Sequence, residues 1–187
     1  IEKKIAEITA DLPNRFPVAE TETQIVPLQP SKAESPGGAT LTIAADGVVS
    51  AGGANPDVDS YRIEVPAPGG PVTAIRIETV PVAGEPGAGR SSMGNFVLSD
   101  VSATFKKQNG EGKAIAFERA ESDVDYQAFK ATNAIDNDKN TGWAVDAPGS
   151  DKTKSHSLTL WATDPDALSG DGVIMLALNQ QYGRSHT

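Results

Sequence analysis

The chain contains no cysteine, which excludes disulfides and any cysteine-ligated zinc. It also excludes attachment of a c-type haem, which needs a C-x-x-C-H stretch. Positive charge is in deficit: 16 Lys and Arg stand against 25 Asp and Glu, a formal net charge of −9. Such a surface repels a phosphodiester backbone and argues against nucleic acid as a partner, while neutral sugars and cations stay compatible with it. No apolar run reaches the ~18 residues of a membrane span, and no signal segment is visible. Only two histidines occur, His156 and His186, and neither H-E-x-x-H nor G-x-S-x-G is present. Ser155 and His156 are adjacent, but neighbours on a strand point to opposite faces and form no dyad. The Gly-rich stretch "GEPGAGRSS" lacks the GK[ST] ending of a phosphate loop. The expectation is a protein that is not an enzyme.

What the chain does have is turn formers. Its 18 glycines and 13 prolines, with aromatics at only 5%, fit many short strands joined by tight turns. Residues 1–10 put Ile1, Ile5 and Ile8 on one helical face, and Pro13 ends that pattern. Residues 13–37 carry five prolines and read as an extended linker that wraps onto the following domain. The division is therefore 1–37, helix and Pro-rich linker, and 38–187, an all-β antiparallel sandwich of about eight to ten strands. The chain begins at Ile1, not Met, and is expected to be a piece of something larger.

Strand signals recur from residue 38. "ATLTIAADGVVSAGG" is a hairpin turning at Asp46-Gly47. "DSYRIEV" and "TAIRIETV" alternate apolar and charged residues, so each has one wet face. "PVAGEPGAGRSSMG" reads as a long flexible loop, "NFVLSDVSATF" as a long strand and "KAIAF" as a short one. "ESDVDYQAFKATNAID" is mostly irregular, and "HSLTLW" and "VIMLAL" are late strands, the last apolar on both faces and so central.

One segment gathers hard oxygen donors. In "AIDNDKNTGW", Asp136, Asp138 and Thr141 follow the spacing D-x-D-x-x-T-x-W. Calcium takes six to eight oxygens at ~2.3–2.6 Å, and such a loop offers carboxylates, a hydroxyl and its own carbonyls. The alternative is a polar turn whose side chains cap their own backbone. Trp143, Trp161 and Tyr61 read as core. Tyr126, Phe129 and Tyr182 are candidates for an exposed rim. Arg90, Arg184 and His186 are candidate polar contacts to a ligand, set against a solvated or sheet-capping arginine.

"NAIDNDKNTGW" resembles the A-x-D-G-x-x-x-T-x-W signature of discoidin-type domains, also called galactose-binding-like or coagulation-factor C-terminal-type domains. The resemblance implies a jelly roll with a structural calcium, ligated by Asp136, Asp138, Thr141 and the Asn133 carbonyl. Asn137 stands where that family often has Gly, and Asn is among the residues that tolerate positive φ. "GNFVLSDVSATF" resembles the family's closing strand, which implies the Ser99 carbonyl and the Asp100 carboxylate as further ligands. A bulge at Ser99 or Asp100 would aim that carboxylate. Because this strand comes early, the resemblance implies a circular permutation.

The blocks "GATLTIAADGVVSAGGANPDVDSYRIEV", "VTAIRIETV", "GAGRSSMGNFVLSDV" and "AIDNDKNTGWAV" are also similar, in order, to a domain of large exported planctomycete-type proteins that carry cytochrome-c-like segments. The expectation is a periplasmic or extracellular ligand-binding module in a multidomain parent. Its partner would be carbohydrate or another domain of that parent, and Arg90, Tyr126, Tyr182 and Arg184 its ligand contacts.

Overall fold

In a computed structural model, residues 24–108, 110–165 and 170–183 are described, with Lys4 besides. The helix expected over residues 1–10, the linker before residue 24, Arg184 and His186 lie outside the described residues, Lys4 excepted. No helix among the described residues is long and apolar enough to cross a membrane.

Ten strands follow in chain order: β1 Lys32–Glu34, β2 Ala39–Ile43, β3 Val49–Gly53, β4 Asp59–Pro66, β5 Ala74–Glu78, β6 Asp100–Lys107, β7 Gly112–Ile115, β8 Phe117–Ser122, β9 Ser157–Ala162 and β10 Gly172–Gln180. A 3-10 turn covers Ala131–Ile135. All pairings are antiparallel. One sheet has the order β1-β4-β10-β6-β7, a second β5-β9-β8, and β2-β3 is a separate hairpin. The protein is therefore all-β, as its turn-rich composition implies.

Alternation decides which side of each sheet is dry. On β4, β10 and β6 the register aligns Val65 with Ile174 and Phe105, then Ile63 with Leu176 and Ala103. These residues pack with Ile75, Phe117 and Ala162 of the other sheet. A second cluster joins Val101 and Leu178 to Ala120, Leu158, Leu160, Ile77 and Trp143. Both clusters draw on both sheets, so the sheets face each other as a sandwich. Leu158, Leu160 and Ile174 are fully buried, and each contributes roughly 1.5–3 kcal/mol relative to exposure. Few exposed ion pairs approach that value.

Several local readings differ from the structure: β1, Lys32–Glu34, pairs with β4 although it lies inside the segment 13–37 expected to be linker. "KAIAF" is not one strand: β7 ends at Ile115 in the larger sheet and β8 starts at Phe117 in the smaller. The long strand expected from Phe96 starts as ladder only at Asp100; before it, Leu98 makes an isolated bridge to Trp143. Trp161 is not core. It shares the outer face of β9 with Ser157 and Thr159, half-buried, with the Arg119 guanidinium 4.3 Å from its ring centroid. Trp143, by contrast, is completely buried and meets Phe96 edge to face.

The loop after β5 is knitted, not loose. The Gly89 N–H donates to the Gly94 carbonyl and the Asn95 N–H to Ser91 Oγ. A Cβ on Gly94 would lie 2.3 Å from the Gly87 nitrogen, so two backbones pass where no side chain fits.

Candidate functional site

The 3-10 turn Ala131–Ile135 buries Ala131 and Ala134 and leads directly into the Asp136 loop. There the chain turns on Asn137, whose φ of 61° makes it the one non-glycine residue with positive φ among the described residues. This is the position where the discoidin-type signature has glycine, and Asn is one of the few residues that enter that region at small cost.

Around the turn the polar side chains close on each other. Asp136 Oδ1 accepts the Asp138 N–H at 2.8 Å. The Thr141 hydroxyl lies 2.8 Å from Asp136 Oδ2 and 2.9 Å from the Asp138 carbonyl oxygen. Asp138 turns its carboxylate the other way, accepting from the Asn140 N–H at 2.9 Å and Asn140 Nδ2 at 2.8 Å. Those two donors hold the Asp138 carboxyl below the usual carboxylate range. Asn133 donates its amide to the Ala128 carbonyl at 3.3 Å.

The donor set is all oxygen, as calcium requires. The Thr141 hydroxyl stands at hydrogen-bond distance from both Asp136 Oδ2 and the Asp138 carbonyl oxygen, so three loop oxygens are neighbours. The donor types suit a hard cation, and the oxygen that Asp138 turns toward Thr141 is its carbonyl, not its carboxylate. Among the described residues no group of three or more His, Asp or Glu side chains converges as a metal site. An ion here therefore depends on carbonyl and hydroxyl oxygens as much as on charge.

The strand carrying Ser99 and Asp100 runs against this loop. Leu98 and Trp143 exchange both backbone hydrogen bonds at 2.9 Å. A Cβ on Gly142 would come within 2.7 Å of the Leu98 carbonyl oxygen and 2.9 Å of Ser99 Cα, which is why glycine precedes Trp143. At the end of β6 the Ser99 N–H donates to the Asn179 carbonyl, although Asn179 is already the register partner of Asp100. Two residues oppose one, the count of a β-bulge. The Asp100 carboxylate accepts from Asn179 Nδ2 at 3.1 Å, and Ser99 Oγ accepts the Gln181 N–H.

Beyond the end of β10, Tyr182 meets Phe129 edge to face at 5.5 Å, and Phe129 stacks on Tyr126 at 6.5 Å with planes 27° apart. Tyr126 is 37% exposed and Tyr182 36%. In the chain Phe129 lies two residues before Ala131, where the 3-10 turn that leads to the Asp136 loop begins. Arg90 does something else: its guanidinium donates to the Gly53 and Ala54 carbonyls at 2.9 and 2.8 Å, tying the Gly-rich loop to the end of the β2–β3 hairpin. Arg184 lies outside the described residues.

Several contacts were not foreseen from the sequence. Asn179 links Ser60 to Asp100 across β10. The buried Asp59 accepts from Ser35 Oγ and from the Gly37 and Ser60 N–H groups. Ser122 accepts the Trp143 indole N–H at 2.9 Å. His156 lies between Asp123 Oδ2 and the Asp151 carbonyl. Each joins positions far apart in the chain, which spacing does not display. A clue was available only for Asp59, a charge at the buried phase of an alternating strand.

Comparison with known proteins finds no matching family model, no matching curated protein and no matching solved structure.

Proposed function

We propose that this chain is a non-catalytic ligand-binding module for carbohydrate, of the galactose-binding-like jelly-roll type, within a larger exported bacterial protein. The observation that carries the reading is the pair of exposed tyrosines, Tyr126 and Tyr182, which meet over the half-buried Phe129. Two segments distant in the chain bring aromatic faces together. Aromatic faces take up the apolar C–H faces of sugars, and nearby polar groups fix orientation. The acidic surface suits a neutral glycan better than a phosphorylated or sulfated one.

Calcium is the structural ion of this reading. Asp136 Oδ2, the Asp138 carbonyl and the Thr141 hydroxyl would hold it. The Asn133 and Ser99 carbonyls and the Asp100 carboxylate are the further ligands that the family resemblance implies. When bound, the ion supplies a charge centre that keeps the turn closed. The chain itself supplies the left-handed Asn137, the Leu98–Trp143 bridge and the buried alanines of the 3-10 turn, which set the loop before any ion arrives. The four ordered blocks that resemble exported planctomycete-type proteins support the larger parent.

The test is a glycan array on the described domain, followed by titration calorimetry on any hit. Tyr126→Ala and Tyr182→Ala are expected to weaken binding about two- to tenfold each, since stacking on one ring is worth ~0.5–1.5 kcal/mol, while melting stays unchanged. Binding undiminished in both variants would remove the aromatic cluster from the site.

A second reading, docking against another domain of the parent, draws on a different feature. Val80, Val82 and Met93 are 49%, 63% and 65% exposed on the one long loop that Arg90 anchors. A blank array, with a parent fragment that protects this loop from exchange, would favour it.

A further inference from the structure

The outer face of the larger sheet carries a trough. Register sets Arg62 of β4 beside Ala177 of β10 and Ser102 of β6, and Glu64 beside Met175 and Thr104. β1 borders this face, with Lys32 opposite Glu64 and Glu34 opposite Arg62. The side chains of β1 and β4 are long, while Ala177, Ser102 and Thr104 are short, so the middle of the sheet is sunk below its border. The trough has a volume of about 300 Å³, at the small end of the range for ligand sites.

Its charges are unevenly engaged. Glu34 stands opposite Arg62, yet its carboxylate goes to Lys32 Nζ at 2.8 Å, and Glu64 lies 3.9 Å from the same ammonium. Four arginines fall among the described residues. Arg76 pairs with Glu78, Arg90 donates to two carbonyls, and Arg119 pairs with Glu121 and covers the Trp161 ring. Arg62 is exposed and has no hydrogen bond or ion pair with any described residue. Lys32, Arg62, Glu34 and Glu64 together sum to zero, on a chain of net charge −9. The trough is thus a neutral place on an acidic surface, with one unengaged cation. That balance suits a ligand of single negative charge and disfavours a polyanion.

We propose that this trough is a saccharide site for a uronate, in which Arg62 forks to the sugar carboxylate and the Ser102 and Thr104 hydroxyls meet the ring hydroxyls. The proposal rests on the carbohydrate reading for its class of ligand, and not on the aromatic cluster. A guanidinium presents parallel N–H donors that match the two oxygens of a carboxylate. Ser and Thr hydroxyls donate and accept, as sugar hydroxyls do. Met175 lies between them as a pliable apolar floor for the C–H face of the ring. The trough is too small for a folded domain. Nor does it invite an added strand, because the backbone of β10 is already paired on both sides, to β4 and to β6.

The experiment is an NMR titration of the full chain with a galacturonate trisaccharide, the matching neutral galactose trisaccharide, and acetate. The readout is the Met175 methyl and the Ser102 and Thr104 amides. The galacturonate trisaccharide is expected to shift all three, and to bind at least tenfold more tightly than either comparison ligand, because a hydrogen bond to a charged group is involved. Arg62→Gln is expected to abolish that tenfold preference, and Arg62→Lys, which keeps the charge and loses the fork, to keep only part of it. Tyr126→Ala is expected to leave the titration unchanged, so a failure of the aromatic cluster is read separately. Unmoved Met175, Ser102 and Thr104 signals would overturn the proposal. So would a preference that survives Arg62→Gln, equal binding of the neutral trisaccharide or of acetate, or loss of the response in Tyr126→Ala.

Discussion

Asp59 and Asp136 organise their surroundings in opposite ways. Asp59 is 3% exposed and reaches across the chain to Ser35 and Gly37, which lie 24 and 22 residues away. A Cβ on Gly37 would stand 2.5 Å from its Oδ1, so the segment before β2 fits only because glycine is there. Asp136 is exposed, and its bonds go to Asp138 and Thr141, within five residues. A buried carboxylate with distant partners clasps the scaffold. An exposed carboxylate with near partners shapes a loop whose oxygens stay within reach of solvent and its ions.

The largest expected effect tests the first half of that contrast. Asp59→Ala removes the buried acceptor of the Gly37 and Ser60 N–H groups and of the Ser35 hydroxyl, three part-buried bonds, and is expected to cost about 3 kcal/mol, read as a fall of roughly 6–12 °C in Tm. The same change at Asp136, in metal-free buffer, is expected to cost about 1 kcal/mol or less, because water can replace its partners. Equal losses at the two positions would erase the distinction. A smaller effect sharpens it at Asn137. Asn137→Val puts a β-branched residue at φ 61° and should cost about 1–2 kcal/mol by chemical denaturation. Asn137→Gly should leave stability within about 1 kcal/mol of the parent. A tolerant Val would mean that the turn does not need the left-handed conformation.

How much of this could be read from the residues follows from the range of each interaction. Period-two alternation is local, so β4, β5, β9 and the Asp46-Gly47 hairpin were legible, and the two-sided apolar run of β10 announced its place at the centre of the larger sheet. β8 was missed because "FERAES" buries only Ala120 fully and puts charges on both sides of it. β1 has three residues and an exposed edge pattern, too short for any period to show. Trp161 was misplaced because an aromatic on a strand reads as core on either face, and only the register with Arg119 shows which one.

The site divides the same way. The D-x-D-x-x-T-x-W spacing located the loop, and the tolerance of Asn for positive φ located its turn. Spacing did not indicate that Asp138 would face Asn140 with its carboxylate and the Thr141 hydroxyl with its carbonyl. The meeting of Tyr126 with Tyr182 through Phe129, and of His156 with Asp123, depends on the sheet order and on loops that cross it. No local pattern encodes such a meeting.

Thermal unfolding with excess calcium and with excess chelator tests the structural-calcium claim most directly. At calcium near one hundred times its dissociation constant, the parent chain should gain about 2.7 kcal/mol and its Tm should rise accordingly, while Asp136→Ala shows no difference between the two buffers. Identical melting of the parent chain in chelator and in calcium would contradict a stabilising ion at the Asp136 loop.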